Sequence, residues 1–253
     1  MNKLTLLLLC CMLPICMPAQ AQSTRVVGHV QDATTQRPLY TELHDQVLAP
    51  DGSVQTELTT YLDPNGKEIG RKTLDFRRHR TVPIYRLDLP TQGYAEGIRN
   101  VGIEANVFKL DQGREKAASL PVGTGLVAAD SGFNQLLLDQ MPALRSGKAV
   151  DFKLIVAGNT DSYSFQARKS GETTIDGEAA LRIRVEPASV LRWLVDPIEL
   201  IYNTSGTRLI RYEGVSNLFD PATSRVYKRI LIQYSAATPT SSKPPSSSPT
   251  TVR

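Results

Sequence analysis

Residues 50–66 read PDGSVQTELTTYLDPNG, and this stretch decides the fold. Side chains alternate along an extended chain, so Val54, Thr56, Leu58, Thr60 and Leu62 share one face while Gln55, Glu57, Thr59 and Tyr61 share the other. A half-buried strand follows. Pro50-Asp51-Gly52-Ser53 before it and Asp63-Pro64-Asn65-Gly66 after it carry the Gly and Asp/Asn chemistry of tight hairpins. Residues 39–76 therefore form a three-strand antiparallel meander.

Working outward, the same alternation predicts strands over 83–90, 93–100 and 102–110, with Gly93 and Gly102 at turns. Val150, Phe152, Leu154 and Val156 form another apolar face, followed by Tyr163 and Phe165 beyond an Asn159-Thr160-Asp161 turn. Leu181, Ile183 and Val185 alternate with Arg182, Arg184 and Glu186, and further strands are expected over 198–203, 207–215 and 225–235. Two segments break this period. Ser131 to Arg145 places Phe133, Leu136, Leu137, Met141 and Leu144 near helical spacing, with Asp130 or Ser131 available as a cap and Pro142 forcing an end or kink near Gln140. Ala188 to Val195 carries Val190, Leu191, Leu194 and Val195 on a second short helix that Asp196-Pro197 stops. The expected class is mainly β: one curved antiparallel sheet or half-barrel of about ten to twelve strands, covered by two short helices.

The N-terminus places Lys3 before an apolar run from Leu4 to Met17, then Ala19-Gln20-Ala21, the layout of a cleavable export signal. The run is shorter than the roughly 20 apolar residues needed to span a bilayer. Leu13-Pro14-Ile15 before Cys16 is also too bulky for a lipoprotein cleavage site, and the residues before Cys10 and Cys11 are no better. Cleavage after Ala21 removes Cys10, Cys11 and Cys16, which are all of the cysteines. Disulfides and thiolate metal sites leave with them. The expected organisation is a signal peptide over 1–21, a single β-rich domain over 22–235, and a disordered Ser/Thr/Pro-rich tail over 236–253. Loss of Lys3 lowers the formal charge from +4 to +3, with acidic and basic residues mixed. Such a balance lacks the basic field of a nucleic-acid binder.

No stretch carries a recognisable reaction. His29, His44 and His79 are not paired at i+2 or i+4, and no H-E-x-x-H is present. Asp63-Pro64-Asn65-Gly66-Lys67 lacks the calcium-loop ligands, because Lys67 and Leu74 occupy the fifth and twelfth positions. Ser131 lies outside any G-x-S-x-G elbow. Catalytic residues, metal ligands and cofactors are accordingly expected to be none, and the ligand-binding residues are unknown. Five softer signals stand out. Arg77-Arg78-His79-Arg80 is the one dense basic run, suited to a solvated loop or an anion-facing edge. Arg182 and Arg184 share a strand face, where cross-strand acids are the usual partners. Trp193 reads as core, and Asn203-Thr204-Ser205 as a turn. Last, Glu96-Gly97-Ile98-Arg99-Asn100 echoes Glu213-Gly214-Val215-Ser216-Asn217, with Tyr94 and Tyr212 close by; each glycine would mark a bulge or a close backbone approach.

Four phrases carry a family likeness: Tyr61 to Lys72, Gly93 to Gly97, Val195 to Tyr202 and Leu209 to Asn217. On these the chain resembles an uncharacterised family of exported proteins of Gram-negative bacteria. The likeness covers roughly residues 39–235 and transfers no functional residue. More loosely, the many-stranded sheet with short helices is similar to the half-barrels of periplasmic lipoprotein carriers, although their longer N-terminal helix has no counterpart here. Sequence and resemblance together predict a soluble periplasmic binding module for a lipid, an acyl chain or an apolar peptide. The alternative is an envelope-assembly or protein-interaction module with no small-molecule ligand. Contact with a membrane would be peripheral at most, and no enzyme activity is expected.

Overall fold

The structure is a computed structural model that describes residues 22–123, 125–188 and 196–240. The expected signal peptide, the second helix with Trp193, and the tail beyond residue 240 lie outside the described residues. In chain order the strands are β1 (Gln22–Asp32), β2 (Pro38–Leu48), β3 (Val54–Leu62), β4 (Glu68–Asp75), β5 (Ile84–Leu89), β6 (Tyr94–Val101), β7 (Glu104–Asp111), β8 (Arg114–Pro121) and β9 (Val127–Ala129). Helices α1 (Gly132–Asp139) and α2 (Met141–Arg145) follow. The chain continues through β10 (Val150–Val156), β11 (Asp161–Ile175), β12 (Glu178–Pro187), β13 (Ile198–Asn203), β14 (Leu209–Gly214), β15 (Phe219–Asp220), β16 (Arg225–Val226), β17 (Ile230–Tyr234) and β18 (Thr238–Pro239).

Apart from the small β15–β16 pair, these strands form a single 16-stranded sheet in the order β8-β7-β6-β5-β4-β3-β2-β1-β17-β14-β13-β12-β11-β10-β9, with β18 on β1. The class is mainly β, and the strand number exceeds the expected ten to twelve. The extra strands have physical reasons for being illegible. β8 reads REKAASLP and is exposed along most of its length, so it shows no apolar alternation. β9 has only three residues. β18 lies past the expected end of the domain, pairing Thr238 and Pro239 with Arg25 and Thr24.

Pairing is antiparallel except between β9 and β10, which run parallel. A twisted sheet this wide must curl, and here it rolls up without closing by hydrogen bonds. Ile155, Val127 and Ala129 pack with Leu74, Tyr85, Ile98 and Val107, so one face of β9–β10 lies against the inner side of β4–β7. Phe152 and Ala128 point the other way, into a second cluster with Leu136, Leu137, Met141, Leu144, Ile183 and Tyr202. Covered on both sides, β9–β10 is a wall through the interior. The helices fill the space beyond it. The break between α1 and α2 falls at Gln140, as Pro142 dictates. The outer face carries ion pairs: Arg184 with Glu186 and Glu199, Arg229 with Glu213, and Arg25 with Asp45.

Candidate functional site

The third part of the interior sets a third apolar cluster, with Val30, Tyr40, Tyr61, Leu87, Leu89, Ile230 and Ile232, beside a group of buried polar side chains, and β3 shows how they come together. Its buried residues are Glu57, Thr59 and Tyr61, while Val54, Thr56, Leu58, Thr60 and Leu62 are only partly covered. The strand was legible, but the face turned inward is the polar one. Register brings neighbours into a block: His44 lies opposite Thr59, which lies opposite Lys72. Glu42 lies opposite Tyr61, and Gln46 opposite Glu57. Gly28 makes room, since a Cβ there would stand 3.2 Å from Glu42 Oε2 and 3.0 Å from Tyr234.

His44 bridges two carboxylates, with Nδ1 2.9 Å from Glu57 Oε1 and Nε2 3.0 Å from Glu42 Oε2. Ionised carboxylates only accept, so both ring nitrogens must carry protons. Burial opposes that charge, but Glu57 and Glu42 outweigh it and hold the imidazole up at about 10. Burial would likewise raise Glu57, yet His44 and the Gln46 amide bring it down to about 2. Gln46 Nε2 donates to Glu57 at 2.8 Å, and the Thr59 hydroxyl donates at 2.9 Å.

One strand further on, Lys72 Nζ donates to Asp130 Oδ1 at 2.6 Å, with side-chain exposures of 8% and 2%. Burial disfavours the ammonium, but Asp130 and Tyr61 reverse the balance and raise it well above its ordinary value. Asp130 sits between β9 and α1 with φ 44°, uncommon for a residue other than glycine. Ser131 occupies the expected cap position but makes no capping bond; its amide and hydroxyl both donate to Asp130 Oδ1. From the opposite side Asn217 Nδ2 donates to Asp130 Oδ2 at 2.9 Å. The neighbouring Ser216 hydroxyl lies 2.8 Å from Tyr40 Oη.

Glu96 completes the group. Burial pushes its carboxyl up, against the pull of the Tyr94 hydroxyl, which donates at 2.6 Å. Gly158 lies over this pair, where a Cβ would come 2.3 Å from Glu96 Oε2. Two cations and several acids thus share one buried interior with Tyr40, Tyr61 and Tyr94. Two clefts among the described residues lie at the surface. One, about 230 Å³, lies beside His79, Leu126, Leu136 and Asp139. The other, about 520 Å³, is lined by Ala49, Asp51, Val54, Phe76, Arg77 and Arg80.

The chain shares a known barrel-like fold. A β-barrel-like protein of domain of unknown function DUF1849 from Brucella abortus is similar over 88% of this chain and 100% of its own, with a TM-score of 0.51 and 8% identity. A DUF1329 family protein from Desulfovibrio piger gives a TM-score of 0.27 and 10% identity over 86% of this chain and 85% of its own. A LolA superfamily protein from Nitrosomonas europaea gives 0.25 and 10% over 90% and 89%. At such identities the likeness speaks of fold alone, and the two lower scores carry no argument. No family model matches the sequence, and no curated protein matches it.

Against this scaffold the softer sequence signals separate. The three histidines do not meet: His29 is exposed on β1, His44 is central, and His79 accepts from the Val82 amide at 3.1 Å. Among the described residues no group of His, Cys, Asp or Glu side chains is arranged to hold a metal. The basic run is largely answered, Arg77 by Asp75 and Arg80 by Asp139. Arg184 finds its expected acids. The two Glu-Gly phrases are not equivalent, since Glu96 faces inward whereas Glu213 pairs with Arg229 outside. Gly97 does mark a close approach: a Cβ there would stand 2.0 Å from the Tyr85 carbonyl. The charged interior was missed. Its available signal was the polar alternation of His44-Gln46 against Glu57-Thr59 on adjacent strands.

Proposed function

We propose that the chain is an exported periplasmic interaction module, which uses the surface and edges of its rolled sheet and does not carry an apolar ligand inside. The supporting observation is the occupied interior. The space a carried acyl chain would need is taken by the His44 and Lys72 networks, the β9–β10 wall and α1–α2. Burying a lipid tail there would strand paired charges, each costing several kcal/mol when left without its partner.

A second reading has its own observation. The cleft of about 520 Å³ joins Val54 and Phe76 to a rim of Arg77 and Arg80. That size is within the roughly 300–1,000 Å³ range of ligand pockets, so an amphipathic molecule could rest there with its tail only partly covered. The acids Asp51, Asp75 and Asp139 offset the arginines and weaken this reading.

Native mass spectrometry and solvent extraction of the protein purified from periplasm separate the two. The interaction reading expects the mass of the bare mature chain. A stoichiometric lipid or acyl adduct would overturn it.

A further inference from the structure

The sheet has two ends, and they are treated differently. At β9 the outer edge is covered by the chain itself: the Ala129 amide donates to the Thr81 carbonyl at 2.9 Å, and the Thr81 hydroxyl donates to Val127 O at 2.6 Å. At β8 no strand among the described residues pairs with the outer side. β11 passes nearby without forming a ladder with it.

The turn before β8 tells which of its backbone groups are free. Gln112 and Gly113 both have positive φ, 50° and 77°, the signature of a two-residue type I′ hairpin. Asp111 and Arg114 close that turn as a hydrogen-bonded pair, and the ladder then alternates. Arg114, Lys116, Ala118 and Leu120 bond inward to β7. Glu115, Ala117 and Ser119 therefore turn their amides and carbonyls to the open side. Pro121, next in that series, has no amide to lose.

The side chains give the open edge a polarity. Arg114, Lys116, Ala118 and Leu120 share the inner face of the sheet, the last two half-buried against the core. Lys116 lies directly opposite Lys109, a like-charge pair, and Asp111 is the acid on this face of β7. On the other face Glu115 is answered by Arg99. Lys109 also lies opposite Glu96 of β6, but among the described residues neither Arg114 nor Lys116 is ion-paired, so the inner face of β8 is positive at its start and apolar at its end. Close to that end, Ile103 is 90% exposed and its carbonyl accepts from Val122.

We propose that the β8 edge is a docking site for an extended segment of a protein partner. The segment adds as an antiparallel strand, with apolar residues opposite Leu120 and Ala118 and acidic residues opposite Lys116 and Arg114. Backbone bonds would supply affinity and the charges would set direction. This rests on the reading of the chain as an interaction module and names its partner's chemistry.

Two capped peptides test it: Val-Thr-Val-Thr-Glu-Thr-Glu and the same sequence with Lys for Glu, titrated into the isotope-labelled mature chain by NMR. The acidic peptide should shift the amides of Glu115, Ala117 and Ser119, and the lysine peptide should bind at least tenfold more weakly. Ala117→Pro alters only an outward amide, so it should keep the fold and abolish binding. If that variant does not fold, the exposed pair Arg114→Glu/Lys116→Glu decides by inverting the peptide preference. Absence of β8 shifts at millimolar peptide, indifference to peptide charge, or concentration-dependent β8 shifts without peptide would overturn the proposal, the last by assigning the edge to a second copy. A lipid adduct in the mass spectrum would sink the interaction module without touching this titration.

Discussion

Replacing Lys72 by methionine should be among the most damaging single changes to this molecule that leave no steric clash. Its ammonium and the Asp130 carboxylate are 8% and 2% exposed, so the variant strands an acid where water cannot reach it. Breaking a buried pair from one side costs about 3–5 kcal/mol. For a chain of this size each kcal/mol moves the melting temperature by about 2–4 °C, so the midpoint should fall by roughly 6–20 °C. Pairing the change with Asp130→Asn should recover most of that loss. Asparagine tolerates the left-handed backbone and keeps an oxygen for the Ser131 donors, while its new NH2 group meets Asn217 as donor to acceptor once the Asn217 amide turns over. Thermal and urea unfolding of the two singles and the double variant form a cycle, with a coupling expected well above that of surface pairs. Arg99–Glu115, with exposures of 49% and 46%, is the internal comparison and should show no measurable change when broken. If Lys72→Met is no worse than that control, the interior is wet and the argument for a dry polar core fails.

Stability should also depend on pH with an unusual slope. Glu57, depressed to about 2, contributes above its unfolded value and loses that contribution as pH falls from about 4.5 toward 2. His44, raised to about 10, contributes fully below about 6.5 and loses it as pH climbs to 10. Glu96, raised by burial, favours the same acidic side. Urea midpoints between pH 4 and 9.5 should therefore peak near pH 5–6. The decline from 6.5 to 9.5 should flatten in His44→Gln, and an unchanged slope there would remove His44 as its source. Separately, Gly97→Ala should prevent folding or cost at least about 1–3 kcal/mol, because its Cβ meets Tyr85 backbone at 2.0 Å. Gly113→Asn, with φ 77° and open space around it, should be tolerated, as unfolding midpoints of the two variants would show.

The positions of β2 to β7 and of α1 were legible because each has a strong period and punctuated ends, as in PDG and DPNG around β3. Which face of β3 turns inward was not. Alternation defines two faces, and only the partner across the interior decides between them. Glu57 is buried because His44 and Gln46 meet it, and those contacts depend on register between strands. β8 was invisible for the opposite reason, since an edge strand in water needs no apolar face. Asp130 was legible as a cap residue at the head of α1, yet its carboxylate serves Lys72, 58 residues away in the chain. A local rule can place such a residue but cannot choose between a near donor and a distant charged one.

Buried ions are a poor way to gain stability, so the His44 network needs another reason to exist. The sheet supplies one. A one-residue slip of β3 would turn Glu57, Thr59 and Tyr61 outward and bring Thr56, Leu58 and Thr60 in, and the alternation of this strand barely resists it on hydrophobic grounds. The slip would leave His44 and Gln46 without Glu57, their partner across the strand. We therefore expect the network to act as a register lock. The triple variant Glu42→Leu/His44→Leu/Glu57→Leu should unfold at equal or higher urea, by about 1–4 kcal/mol on the precedent of other buried ion clusters. Its amide spectrum should nonetheless show broadened or doubled peaks over β2, β3 and β4. A single sharp set of peaks at unchanged shifts would mean that the turns alone hold the register and that the charges have some other use.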